Sequence, residues 1–111
     1  MCAYILTKTR KKMKTTYRKK AAMQKTLESI GSLIEEFRKD TRTSFAQFTA
    51  ETGMHYSTFR KVTQGDPDCH ILYTWLAIAE LMQHDTGPGT PATDRFFHRL
   101  RSVLDDAFDE V

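Results

Sequence analysis

Nine basic residues lie between Lys8 and Lys25: Lys8, Arg10, Lys11, Lys12, Lys14, Arg18, Lys19, Lys20 and Lys25. No acidic residue appears before Glu28, and the rest of the chain carries eight basic residues against fourteen acidic ones. All the excess positive charge therefore sits in one arm. A block of like charge with few anchoring apolar residues is expected to be mobile when free, and it is the form that pairs with a polyanion such as a nucleic-acid backbone. The simpler reading is a solubilising tail, with Met13 as an alternative start. A second group of chemistry-bearing residues stands in "TGMHYSTFRKVTQG", residues 52 to 65. Arg60 can bind guanine through two acceptors, Ser57 can bond to several bases, and Tyr56 can bond to phosphate or press on a thymine methyl.

Other chemistries find less support. Glu35 with Glu36, or Asp66 with Asp68, are neighbours that do not converge on one substrate, and His84 with Asp85 is a lone dipeptide before a linker. No Gly-rich phosphate loop and no nucleophile motif appears, so the chain is not expected to be an enzyme or to carry a cofactor. Cys2 and Cys69 are too few for a disulfide framework. Adjacent Cys69 and His70 cannot both face one ion on a helix, so no metal site is expected. The longest apolar-rich run, residues 71 to 82, is too short to cross a bilayer, and the arm has no wide apolar stripe for a membrane surface. In the "MCAYILTKTRKK" start, apolar residues precede the charges, the wrong order for a secretory signal. A cytoplasmic location follows as the default.

The elements that must position these residues are helical. Leu27, Ile30, Leu33, Ile34 and Phe37 recur at three- and four-residue steps, with Glu35, Glu36, Arg38 and Lys39 expected to face away. Ser44 or Thr43 is the expected N-cap of a short second helix, "FAQFTAET", closed by Gly53. A third helix, from Tyr56 to Thr63, would bury Phe59 and Val62 and end at Gly65. Asp68 is then expected to cap a fourth helix whose core positions are Ile71, Leu72, Trp75, Ile78, Ala79 and Met82. "TGPGTPAT", residues 86 to 93, reads as a linker, and Asp94 as the cap of a last helix carrying Phe96, Phe97, Leu100, Val103, Leu104, Ala107 and Phe108. These apolar positions exceed what one terminal helix need offer its own core. Either they complete that core, or Phe96, Phe97, Leu100 and Leu104 meet the same face of a second chain.

Two short helices joined by a tight glycine turn, the second outwardly polar, form a helix-turn-helix. Over residues 43 to 65, "TSFAQFTAETGMHYSTFRKVTQG", the sequence resembles the Cro and phage-repressor family of DNA-binding domains (XRE-like, lambda repressor-like). The matching features are Phe48 inside the first helix, Gly53 in the turn, Met54 after it, "YST" opening the second helix, Phe59 and Val62 within it, and closing Gly65. The flanking helices extend the resemblance to residues 27 to 85. The chain departs from the family's usual pattern at Phe45, where glutamine is common, and at Thr49, Thr52 and His55, where alanine, leucine and a serine-like cap are usual.

The resemblance implies an all-α, lambda repressor-like bundle of about five helices. Residues 1 to 25 would be a basic arm, 26 to 85 the DNA-binding domain, 86 to 93 a linker, and 94 to 111 a C-terminal helix with a possible dimer contact. It also implies that Tyr56, Ser57 and Arg60 face base edges, with Thr58 and Lys61 nearer the backbone and His55 capping or meeting phosphate. Thr43 and Ser44, at the start of the first helix of the pair, would offer hydroxyl and N–H groups to phosphate. Lys11, Lys12, Lys14, Arg18, Lys19 and Lys20 would wrap the duplex. The expected function is sequence-specific binding of double-stranded DNA by a homodimeric transcriptional repressor. The alternative is a protein-binding adaptor or antitoxin, with a protein partner held by the same bundle.

Overall fold

The apolar spacing from Leu27 to Phe37 demands a helix, and nothing upstream stops one. No glycine or proline precedes Gly31, and Lys, Arg, Ala, Met and Gln are good helix formers. In the computed structural model α1 accordingly runs from Cys2 to Asp40, so the first helix does not begin near Leu27 as its apolar pattern predicts. The structure describes the backbone of residues 2 to 87, 89 and 91 to 110, and the side chains of 21 to 87, 89 and 91 to 109. Lys11, Lys12, Lys14, Arg18, Lys19 and Lys20 lie outside the described side chains. Four further helices follow: α2 (Phe45–Thr52), α3 (Tyr56–Thr63), α4 (Ile71–Gln83) and α5 (Ala92–Glu110). Among the described residues there is no strand, and no helix is long and apolar enough to cross a membrane.

α1 ends without a glycine. Arg42 takes the left-handed conformation at φ 58, which lets the Thr43 amide donate back to the Arg38 carbonyl at 3.1 Å and the Arg42 amide to that of Lys39 at 3.0 Å. This doubly bonded reversal closes the helix and turns the chain into α2. Thr43 is buried there at 2% exposure, its hydroxyl 2.9 Å from that of Thr41. It is neither the N-cap of α2 nor on the outer surface, contrary to its expected phosphate contact.

α5 folds back antiparallel along α1. Phe96 stacks on Phe37 with centroids 4.8 Å apart, Arg99 pairs with Glu36, and Arg95 lies 3.7 Å from Asp40. Buried Ala92 and Phe96, with half-buried Leu100, Val103 and Ala107, form the stripe that meets α1. Phe96 and Leu100 thus follow the first of the two alternatives and pack into the chain's own core, while Phe97 and Leu104 stay exposed. The start of α5 also differs from expectation. Its leading amides, Ala92 and Thr93, donate to the Asp85 carboxylate at 3.1 and 2.9 Å, and Asp94 lies inside the first turn.

α4 departs further from its sequence reading. Its inward residues are Ala77, Ile78 and Leu81, whereas Ile71, Leu72, Trp75 and Met82 are 57%, 54%, 58% and 43% exposed and Ala79 is exposed too. Of the predicted core positions only Ile78 is buried. A helix apolar on every side gives no hint in sequence of which side its neighbours cover. The cap is His70 and not Asp68, its Nδ1 accepting from the Leu72 amide at 3.1 Å.

α3 crosses α1 at backbone distance. A methyl group at Gly31 would stand 2.4 Å from the Thr63 carbonyl oxygen and 2.6 Å from that of Val62. One at Gly65, itself left-handed at φ 70, would stand 2.5 Å from the Glu28 amide nitrogen. The Gln24 side-chain amide adds a 3.0 Å bond to the Gly65 carbonyl. Gly31→Ala should therefore lower stability by about 1 to 3 kcal/mol, outweighing the roughly 1 kcal/mol that alanine gains in helix propensity. Gly87→Ala, with nothing within 4 Å, should change it by less than about 0.5 kcal/mol. Equal urea midpoints for the two variants would contradict the close crossing.

Candidate functional site

The site builds outward from the turn between α2 and α3. Ser44 starts α2 by accepting the Gln47 amide at 3.1 Å, which leaves its hydroxyl proton to donate elsewhere. Gly53 ends α2 at φ 72, its amide donating to the Thr49 carbonyl at 2.9 Å. Thr52 ties the turn from both sides: its hydroxyl donates to the Phe48 carbonyl at 2.8 Å and accepts the Met54 amide at 3.0 Å. Buried Met54 then anchors the turn to the core.

α3 presents two distinct sides. Phe59 and Val62 are buried at 1% and 5% exposure. Tyr56, Ser57, Arg60 and Lys61 are all exposed and, at helical spacing, share one continuous outer face with Thr58 half-buried at its edge. No acidic residue occurs from Thr52 to Gly65, so α3 itself contributes only positive charge to this face. His55 occupies the N-cap position of α3 in extended backbone, but its side chain makes no capping hydrogen bond. It is exposed beside the outer face.

Phe45 organises this region. Its ring meets Tyr56 edge-on at 4.8 Å and Phe59 at 5.6 Å, and the Arg38 guanidinium carbon lies 3.9 Å from its centroid. Tyr56 in turn sits 5.9 Å from the Arg60 guanidinium carbon, at the limit of cation–π attraction. A chain of contacts thus runs from α1 through Phe45 to the two largest side chains of the outer face. The sequence predicts Arg38 to face away, yet its side chain is only 12% exposed. It forks onto both Glu35 oxygens at 2.6 and 3.1 Å and donates to the Thr43 carbonyl at 2.7 Å. Its role bridges α1 and the start of α2, which no linear pattern displays.

A second constellation was also unread in the sequence. His84, just past α4, places Nε2 2.5 Å from Glu51 of α2 and 3.1 Å from Glu80 of α4. The Glu80 and His84 spacing is visible in the sequence, but Glu51 arrives from another helix. Burial works to lower the His84 pKa, but the hydrogen bonds and charges of both carboxylates outweigh it and raise it above the usual 6.5. The bond between the two acids, helped by burial, raises Glu80; the same bond, with that of His84, lowers Glu51. Ligand-type atoms of this trio lie within 4.8 Å of one another. Through these contacts Nε2 of His84 bridges the two acids and clasps α2 to α4.

The polar cleft nearby, about 650 Å³ and lined by Asp40, Arg42, His84, Asp85 and Arg95, has its acids engaged: Asp40 with Arg95, and Asp85 with the start of α5. The Thr93 amide and hydroxyl hold the Asp85 carboxyl below its usual range. Cys69 packs against the core, and burial pushes its thiol up.

The chain matches no protein-family model, no curated protein and no solved structure.

His84 holds its proton more tightly folded than unfolded, so the clasp's contribution is complete below the ordinary imidazole value and is lost as pH rises through the higher folded value. The stability gap between the native chain and His84→Gln should be wider at about pH 6 than at about pH 9 in urea unfolding. A gap that is constant between those values would contradict the clasp.

Proposed function

We propose that the chain is a sequence-specific double-stranded DNA-binding protein, a small dimeric transcriptional repressor of phage or mobile-element type acting in the cytoplasm. The observation that carries this reading is the outer face of α3. Tyr56, Ser57, Arg60 and Lys61 are exposed together there, while Phe59 and Val62 on the opposite side are buried. The resemblance of residues 43 to 65 to the Cro and phage-repressor family supports it from the sequence side.

In this mechanism α2 and α3 act as a helix-turn-helix, with α3 in the major groove. Arg60 donates two hydrogen bonds to the O6 and N7 acceptors of a guanine, and Ser57 and Tyr56 read neighbouring edges. Ser44 and the leading amides of α2 meet phosphate, and the lysines and arginines of residues 8 to 25 neutralise further phosphates. Phe45 fixes the direction of Tyr56, and Arg60 lies within reach of the Tyr56 ring. Two copies read half-sites about 34 Å apart, and repression follows from occupying the operator.

The adaptor or antitoxin reading has one observation in its favour, the exposed apolar face of α4. An equimolar second protein that co-purifies with the chain and blocks DNA binding would favour it.

Selection from random duplex pools, followed by gel shifts at two salt concentrations, tests the main reading. Saturable binding to one enriched sequence is expected, and binding that never discriminates would refute it. On the enriched sequence, Arg60→Ala should cost about 1 to 3 kcal/mol and relax preference at one base position. Removing residues 1 to 20 should weaken all sequences alike and flatten the salt dependence; an unchanged slope would separate the arm from the DNA.

A further inference from the structure

α4 turns its more apolar side away from its own core. Ile71, Leu72, Trp75, Leu76 and Met82 are 57%, 54%, 58%, 44% and 43% exposed, and exposed Ala79 lies among them. At helical spacing these six residues form one stripe, roughly opposite the buried Ala77, Ile78 and Leu81. It is about 17 Å long at the rise of an α-helix. The only charged residue in α4 is Glu80, which is half-buried and turned to His84 and Glu51. Nothing on the stripe itself carries charge.

We infer that this stripe is the face through which two copies of the chain pair about a two-fold axis, α4 antiparallel against α4. The proposal deepens the dimer named above, and it rests on that reading only for what the dimer is used for.

Three observations point to a second copy. The first is area: five large side chains, each about half exposed, leave on the order of 500 Å² of apolar surface, the size of the largest patches found on monomers. Doubled, that is about 1,000 Å², the lower bound of a specific interface and the range of a weak, reversible dimer. The second is charge. Pairing the stripe with itself buries no charged group and sets no like charges against each other, whereas a charged partner would leave its own charges desolvated.

The third is shape. With the two-fold axis level with Ala77 but on the stripe's side of the helix, the bulky Trp75 of one copy would lie across from the small Ala79 of the partner subunit. The largest side chain of each copy thereby meets the smallest on the stripe, twice over. The outer side of α5 is a poorer match, because exposed Phe97, Leu104 and Phe108 are interleaved with exposed Arg101 and Asp105.

The test uses the full chain without DNA, so its result does not depend on operator binding. Sedimentation from dilute to concentrated solution should show a reversible monomer–dimer equilibrium. Trp75 is the chain's single tryptophan, so its emission should shift to the blue along the same concentration curve. Leu72→Glu should hold the chain monomeric and abolish the blue shift, with helical circular dichroism and dilute-solution melting unchanged. Leu104→Glu on α5 should leave dimer and blue shift intact.

The inference is overturned if the chain stays monomeric throughout, if it dimerises without change in Trp75 emission, or if Leu104→Glu and not Leu72→Glu dissociates it. A blue shift that appears only with lipid vesicles, or only with an added protein partner, overturns it as well. Failure of the DNA-binding reading would look different: the dimer and its Trp75 signal would persist while no duplex is selected from the pool.

Discussion

The bundle depends on the crossing of α3 over α1, where two glycines remove the side chains that would keep the helices apart. Gly31 faces the last carbonyls of α3, and Gly65 rests on the α1 backbone at Leu27 and Glu28. This contact fixes the C-terminal end of α3. The N-terminal end is fixed separately, by buried Met54 in the turn and by the Phe45 ring against Tyr56 and Phe59. A helix of eight residues has little stability of its own. Held at both ends, it becomes a rigid platform whose outer side chains need no support from solvent-facing contacts.

Where the sequence was readable, the signals were local. Ser44 as a cap, Gly53 as a stop and the three-residue step from Phe59 to Val62 act within one or two turns, and the bounds of α2 and α3 follow from them. Both faces of α3 were legible for the same reason. Buried and exposed residues alternate there with strong chemical contrast.

Elsewhere the deciding partner lies far along the chain. In α4 the apolar residues cover nearly every side, so the buried one is chosen by α1, α2, α3 and α5 and not by its own pattern. Arg38 looks like a solvated surface residue until α2 brings Phe45 and the Thr43 carbonyl beside it. His84 looks isolated until Glu51 arrives from 33 residues upstream. Thr43 reads as a cap because its hydroxyl is the right group in almost the right place; the left-handed Arg42 turns it inward and passes the role to Ser44. In each case the residue type was visible, while its direction was set by tertiary packing.

The carboxylate of Asp85 sits where the segment after α4 begins, and it receives the first two amides of α5 where that segment ends. Both ends of the excursion are thus fixed by one side chain, so its length is decoupled from the position of α5. Doubling such a loop costs only about 0.6 kcal/mol in closure entropy. Extra residues inserted between Asp85 and Ala92, whether from natural drift or an engineered tag, would in consequence leave the seat of α5 on α1 where it is.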